Sequence, residues 1–95
     1  MPHYAIHCID KPHAADLRAE TRAAHLEHVR SVAERVVAGG PLLNEEGGPI
    51  GSLLIVDFVD RREAVGFAAA DPYALAGLFA SVAVTPWRQV FPEAS

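Results

Sequence analysis

Gly51-Ser52-Leu53-Leu54-Ile55-Val56-Asp57-Phe58-Val59 is the stretch on which the fold turns. Its β-branched and aromatic residues suit a strand. A strand with one wet face alternates apolar and polar residues, but Leu53 to Val56 is apolar on both faces. Both faces of this strand therefore need cover. Helices packed on one side of a sheet supply half of it. The other half would be an open apolar patch larger than monomers usually carry. Pairing with a second copy covers it, and two-fold dimers are the commonest assembly. A homodimer through the sheet face is expected.

Downstream, Asp60-Arg61-Arg62-Glu63 has capping-box spacing and starts a short helix with Ala64, Phe67 and Ala68 on one side. Pro72 disfavours helical geometry at Asp71, so this helix stops there. A helical turn around Tyr73 to Gly77 leads to a last strand, Leu78 to Thr85, closed by Pro86, with an extension over Trp87 to Phe91. Upstream, Asn44 to Pro49 is a polar, Gly-rich hairpin connection after a short segment at Leu42 and Leu43. Gly39-Gly40-Pro41 ends a helix predicted from Ala14 to Val37, rich in Ala, Glu, Arg and Leu and free of Gly and Pro. His3 to Ile9 reads as a first strand, with Tyr4, Ile6 and Cys8 on one face and His3, Ala5, His7 and Ile9 on the other.

The order is β-α-β-β-α-β. That is the ferredoxin-like α+β pattern, a four-stranded antiparallel sheet with both helices on one face. At 95 residues the chain is one domain, 1–95. Its apolar share, 51%, is large for one small core and again points to burial against a partner. The formal charge is −4 with dispersed Lys and Arg, so the basic footprint that nucleic acid requires is missing. No apolar run approaches the ~20 residues that span a bilayer. The N-terminus has His3, His7 and Asp10 where a signal peptide would be basic and then apolar. Cys8 is the single cysteine, read as a small buried apolar residue. A cytoplasmic protein is expected.

At ~100° per residue, the apolar stripe of the long helix passes through Ala15, Leu26, Val29, Ala33, Val36 and Val37. Arg22 falls inside that stripe, His25 on its flank, and His28 on the solvent side. Arg22 reads either as a long side chain snorkelling over the sheet edge or as a guanidinium set to hold a small anion. His25 reads either as a half-buried structural histidine or as a proton carrier, the one side chain whose ordinary pKa lies near neutrality. His25, His28, His3, His7 and Cys8 share no metal-ligand spacing, so neither metal nor organic cofactor is expected. Asp71 before Pro72 is a good N-cap for the following turn. It also stands where the preceding helix's macrodipole disfavours a carboxylate, and a cationic partner would relieve that. Ser52 is either a polar strand-end residue or a donor to a ligand, and it lacks a nucleophile-elbow context. Trp87 is read as packing at the seam between copies.

Asp10 and Pro12, then Arg18, Arg22, His25 and Leu26, then Gly40-Pro41-Leu42, Gly51-Ser52, Asp71-Pro72-Tyr73, Ala76-Gly77-Leu78 and Pro86-Trp87 follow in order over about ninety residues. With that ordered set the chain resembles the YciI-like (YCII-related) family. The resemblance implies a ferredoxin-like domain dimerising face to face as dimeric α+β barrel proteins do, and a fold like that of muconolactone isomerase-type proteins. It also implies a pocket around a histidine–aspartate pair, here His25 and Asp71, with Arg22, Ser52 and Tyr73 as substrate-binding positions. The expected function is proton transfer, an isomerisation or elimination, on a small cyclic or hydroxylated ligand, anions among the candidates. A non-catalytic module binding a small anion, or a structural dimer domain, are the alternatives.

Overall fold

A computed structural model describes residues 2–93. Four strands, β1 (His3–Asp10), β2 (Val36–Leu43), β3 (Pro49–Asp57) and β4 (Phe79–Trp87), form one antiparallel sheet in the order β2-β3-β1-β4. Helices α1 (Ala15–Arg30), α2 (Arg61–Ala70) and the single turn α3 (Pro72–Leu75) connect them, giving the expected β-α-β-β-α-β order. No helix among the described residues is long and apolar enough to cross a membrane.

The period-2 alternation of β1 and β3 places the core. Tyr4, Ile6 and Cys8 of β1 join Leu54 and Val56 of β3, followed by Phe58, on the helix side of the sheet. Ala64 and Ala68 of α2 pack onto them, small enough to let the helix lie close. Asp60 caps α2 as its spacing predicts, accepting from the Glu63 N–H at 2.9 Å. The opposite sheet face carries Ala5, His7, Leu53, Ile55, Ala83 and Thr85, which the strand register brings side by side. Among the described residues no helix lies on this face; Ile55 is nonetheless buried, whereas Leu53 is 36% exposed. Trp87 shares it, its ring 6.0 Å from that of His3.

Two boundaries differ from expectation: β4 does not close at Pro86 but runs through it to Trp87, as an edge strand tolerates, and the first helix ends early. The first helix stops at Arg30; a 3-10 turn, Ala33–Arg35, follows, and Val36 already pairs with Val56 as the start of β2. Sheet pairing that begins at β-branched Val36, with Val37 in an irregularity before Ala38, outweighs the modest helix propensity of this segment. Gly39-Gly40-Pro41 therefore lies inside an edge strand, where proline's missing N–H is tolerated. Gly51 is required for another reason. A Cβ there would lie 2.4 Å from the Cys8 carbonyl oxygen of the neighbouring strand.

Candidate functional site

α1 crosses the sheet so that its two buried side chains are Arg18 and His25, both polar. They are seven residues apart, two turns of one helix, and so share a face. Its small and apolar residues Ala15, Ala19, Leu26 and Val29 line a cavity of about 340 Å³, and Val29 also packs against the core. Val36, Leu54, Ser52 and Tyr73 close it from the sheet and from α3. That volume suits one small ring.

Arg18 is held hard. Its Nε donates to Asp10 Oδ2 at 2.7 Å, and Nη2 donates to Asp10 Oδ1 and to Ser52 Oγ, each at 2.9 Å. Both partners of the ion pair are only 6% exposed at the side chain. Burial works to lower the Arg18 pKa, but the bidentate Asp10 carboxylate outweighs it and the net direction is up. Arg18 is thus a permanent cation.

Asp71 is the joint between α2 and α3. Its extended backbone, φ −59° and ψ 129°, is the conformation that Pro72 imposes on its predecessor. Its Oδ1 accepts from the Tyr73 N–H at 2.9 Å, the N-cap bond expected of Asp-Pro. The same carboxylate reaches His25 Nδ1, at 2.8 Å from Oδ2 and 3.0 Å from Oδ1. Cap and ion-pair readings of Asp71 hold together. A carboxylate only accepts, so Nδ1 carries a proton, and in the neutral imidazole Nε2 is the nitrogen with the free lone pair. His25 is among the cavity-lining residues, whereas Asp71 stands behind it.

Tyr73 locks the arrangement. Its ring stacks on the His25 imidazole at 4.1 Å and 18°, and the Arg18 guanidinium carbon lies 4.5 Å from its centroid. α3 ends in a Schellman turn, Leu78 N–H to Tyr73 C=O and Gly77 N–H to Ala74 C=O, with Gly77 at φ 77°. The backbone on both sides of Tyr73 is therefore pinned. Burial pushes the Tyr73 hydroxyl pKa up, with Arg18 and Arg22 pulling the other way. Cys8 lies near the same carboxylates. Burial first, then Asp71, drives its thiol up to about 12, so it stays a neutral packing residue as expected.

The structure thus brings together His25, Asp71, Ser52 and Tyr73, and it lines the cavity with Arg22. Arg22 is exposed and not buried in an apolar stripe, because α1 is rolled toward the Arg18–His25 face. The same roll corrects His28. Expected in solvent, it is half-buried, stacked on Phe67 at 4.2 Å with Nε2 2.9 Å from the Phe67 carbonyl. Sequence reasoning gave Arg18 and Asp10 no role. The available signal was a cation one turn from Arg22 on the helix, with an acidic residue closing the first strand.

The YCII-related domain model matches residues 2–88. Protein YciI of Escherichia coli O6:H1 is 33% identical over 93% of this chain and 98% of its own length. An uncharacterised protein of Haemophilus influenzae is 32% identical, covering 94% of this chain and 99% of its own. Among solved structures, 5-chloro-2-hydroxyhydroquinone dehydrochlorinase from Burkholderia phenoliruptrix AC1100, in complex with 2,5-dihydroxybenzoquinone, superposes with a TM-score of 0.87. It is 28% identical, with 97% of this chain and 99% of that chain covered. A protein from Agrobacterium tumefaciens, 18% identical with a TM-score of 0.58, covers 99% and 100% and shares the fold alone. With the family model spanning nearly the whole chain and relatives matched end to end, the chain belongs to the YCII-related domain family.

Proposed function

We propose that the chain is a small-molecule acid–base enzyme in which His25 moves the proton and Asp71 fixes its tautomer. One observation carries this reading: His25 gives Nδ1 to Asp71 at 2.8 Å while the imidazole lines a ring-sized cavity. Nε2 is then the basic atom left for a substrate, the division of labour that a histidine–carboxylate pair uses in catalytic triads. His25 Nε2 removes a proton from a ring hydroxyl, or from carbon next to a carbonyl. The electron pair moves onto the carbonyl oxygen. Return of the proton to a different carbon gives an isomer; collapse of that electron pair into a new π bond, with a leaving group departing on the pair of its own bond to carbon, gives elimination. The likeness to a dehydrochlorinase with nearly complete coverage supports a small hydroxylated ring and elimination among these outcomes. Arg22, exposed at the cavity, gives an anionic ligand a cationic approach.

The test is turnover of halogenated hydroxyhydroquinones, followed by halide release and ultraviolet absorbance. His25→Gln is expected to lower turnover by about 10²–10⁴-fold, the range that a positioned general base contributes. Undiminished turnover in His25→Gln sinks the reading. Saturable binding by the parent protein, with the compound recovered unchanged, replaces it with a binding module.

We further propose that the open sheet face pairs with a second copy, and that this dimer works in the cytoplasm, where a lone reduced thiol is ordinary. The support is the exposed apolar surface that Leu53 and Trp87 present on the face opposite the helices. Leu53→Asp is expected to halve the mass seen in sedimentation velocity. A parent protein that already sediments as a monomer removes the proposal.

A further inference from the structure

Arg18 is buried to 5% exposure yet lines the cavity. Its bonds to Asp10 and Ser52 use Nε and Nη2. A guanidinium has five N–H donors, and the Tyr73 hydroxyl is a third side-chain partner of Arg18 beside Asp10 and Ser52. The guanidinium sits against the Tyr73 ring, 4.5 Å from guanidinium carbon to centroid, and its charge is felt at the Tyr73 hydroxyl. Ser52 Oγ accepts from Arg18, which leaves its own hydroxyl proton to donate elsewhere. Arg18, Ser52 and Tyr73 therefore converge at the cavity, on the same helix face as His25.

The charges limit what such an end can hold. Asp10 already balances Arg18, and Asp71 stands beside His25. Arg22 is the remaining cation of the lining, and it makes no ion pair among the described residues. With neutral imidazole, the four fixed charges of Arg18, Arg22, Asp10 and Asp71 sum to zero. One proton passed from a hydroxyl to His25 keeps that balance, forming an anionic oxygen and an imidazolium inside the site. A phosphate ester would bring about two negative charges to one end, against a guanidinium already paired with a buried carboxylate.

We propose that Arg18, Ser52 and Tyr73 form an oxygen-binding end of the cavity that takes a ring hydroxyl or its phenolate, and rejects phosphate esters. The proposal rests on the reading of the cavity as the substrate site. It shifts the oxygen-holding role from Arg22, which is exposed and mobile in reach, to Arg18, which Asp10 fixes before any ligand arrives.

The experiment is calorimetric titration of the full chain with two probes, 4-nitrocatechol and 4-nitrophenyl phosphate. The parent protein is expected to bind 4-nitrocatechol, with the phosphate ester far weaker. Tyr73→Phe keeps the ring stack and removes only the hydroxyl. Arg18→Lys keeps the charge against Asp10 and removes Nη1. Each is expected to weaken 4-nitrocatechol roughly ten- to hundredfold, as befits a lost hydrogen bond to a charged group. Circular dichroism of each variant confirms the fold. Parent-like affinity in folded Tyr73→Phe and Arg18→Lys overturns the proposal, whatever His25→Gln does to turnover. So does a parent protein that prefers the phosphate ester or binds neither probe. Conversely, if His25→Gln retains turnover while both variants lose affinity, the acid–base reading falls and the oxygen-binding end stands.

Discussion

Asp10→Ala is expected to destabilise the protein by about 3–5 kcal/mol, the cost of leaving one member of a buried ion pair uncompensated. The pair it breaks is bidentate, at 2.7 and 2.9 Å, and is 6% exposed on both sides. The loss has two parts. Arg18 keeps its charge, since no attainable pH deprotonates it, and it stays trapped between β3 and α3. Ser52 and Tyr73 then lose the fixed group that sets their geometry. In a domain of 95 residues each 1 kcal/mol moves the melting temperature by roughly 4–8 °C, so a fall of at least about 12 °C follows. Glu27→Ala is the matched control. It breaks the Arg30–Glu27 pair, whose side chains are 66% and 77% exposed, and such a pair is worth at most about 1 kcal/mol. Thermal unfolding of the two variants side by side makes the comparison. If Asp10→Ala melts as Glu27→Ala does, water entering the cavity solvates Arg18, and Asp10 does not set its position.

That contrast marks where the sequence was legible. The two faces of the first strand follow from alternation alone, and Tyr4, Ile6 and Cys8 lie together as read, whereas β3, apolar on both faces, takes its inward face from its partners. The second helix and its stop at Asp71 follow from a capping box and a proline, both short-range devices. Local signals of this kind are complete within a few residues. The first helix failed at its end because Val36 answers to a strand partner, Val56, twenty residues away in sequence. Nothing within the segment reports that pairing. The roll of α1 was lost for a similar reason. A helical wheel ranks faces by apolarity, and on that scale the Ala15–Leu26–Val29 stripe should face the core. Instead that stripe lines a cavity, and the face carrying Arg18 and His25 is buried, because Asp10, Ser52 and Asp71 satisfy it. A polar face can be the inward one when its partners come from three other elements. His25 and Asp71 were each singled out from local features, but their pairing was reached through family resemblance for the same reason. Their separation of 46 residues is invisible to periodicity.

Asp71→Asn is expected to leave the fold nearly intact while lowering turnover by about 10⁴-fold, the loss seen when the same exchange is made behind a triad histidine. The atoms explain why. Asp71 Oδ1 accepts from the Tyr73 N–H at 2.9 Å, and asparagine keeps an oxygen for that bond. Asparagine is as good an N-cap as aspartate, so the start of α3 survives. The second carboxylate oxygen, which meets His25 Nδ1 at 2.8 Å, becomes an amide NH₂. An NH₂ group cannot accept, and at 2.8 Å its protons oppose an N–H on Nδ1, so the tautomer in which Nδ1 accepts is favoured over the longer 3.0 Å contact to the retained oxygen. The imidazole then carries its proton on Nε2, the atom that should take one from substrate. Stacking on Tyr73 holds the ring in place, so rotation does not restore the working tautomer. Nitrogen-15 shifts of His25 report the tautomer directly, while the melting temperature reports the cap. A parent-like melting temperature, a switched tautomer and lost turnover together establish Asp71 as the group that positions the base. A switched tautomer with turnover unchanged places the proton-transfer step elsewhere than on His25 Nε2.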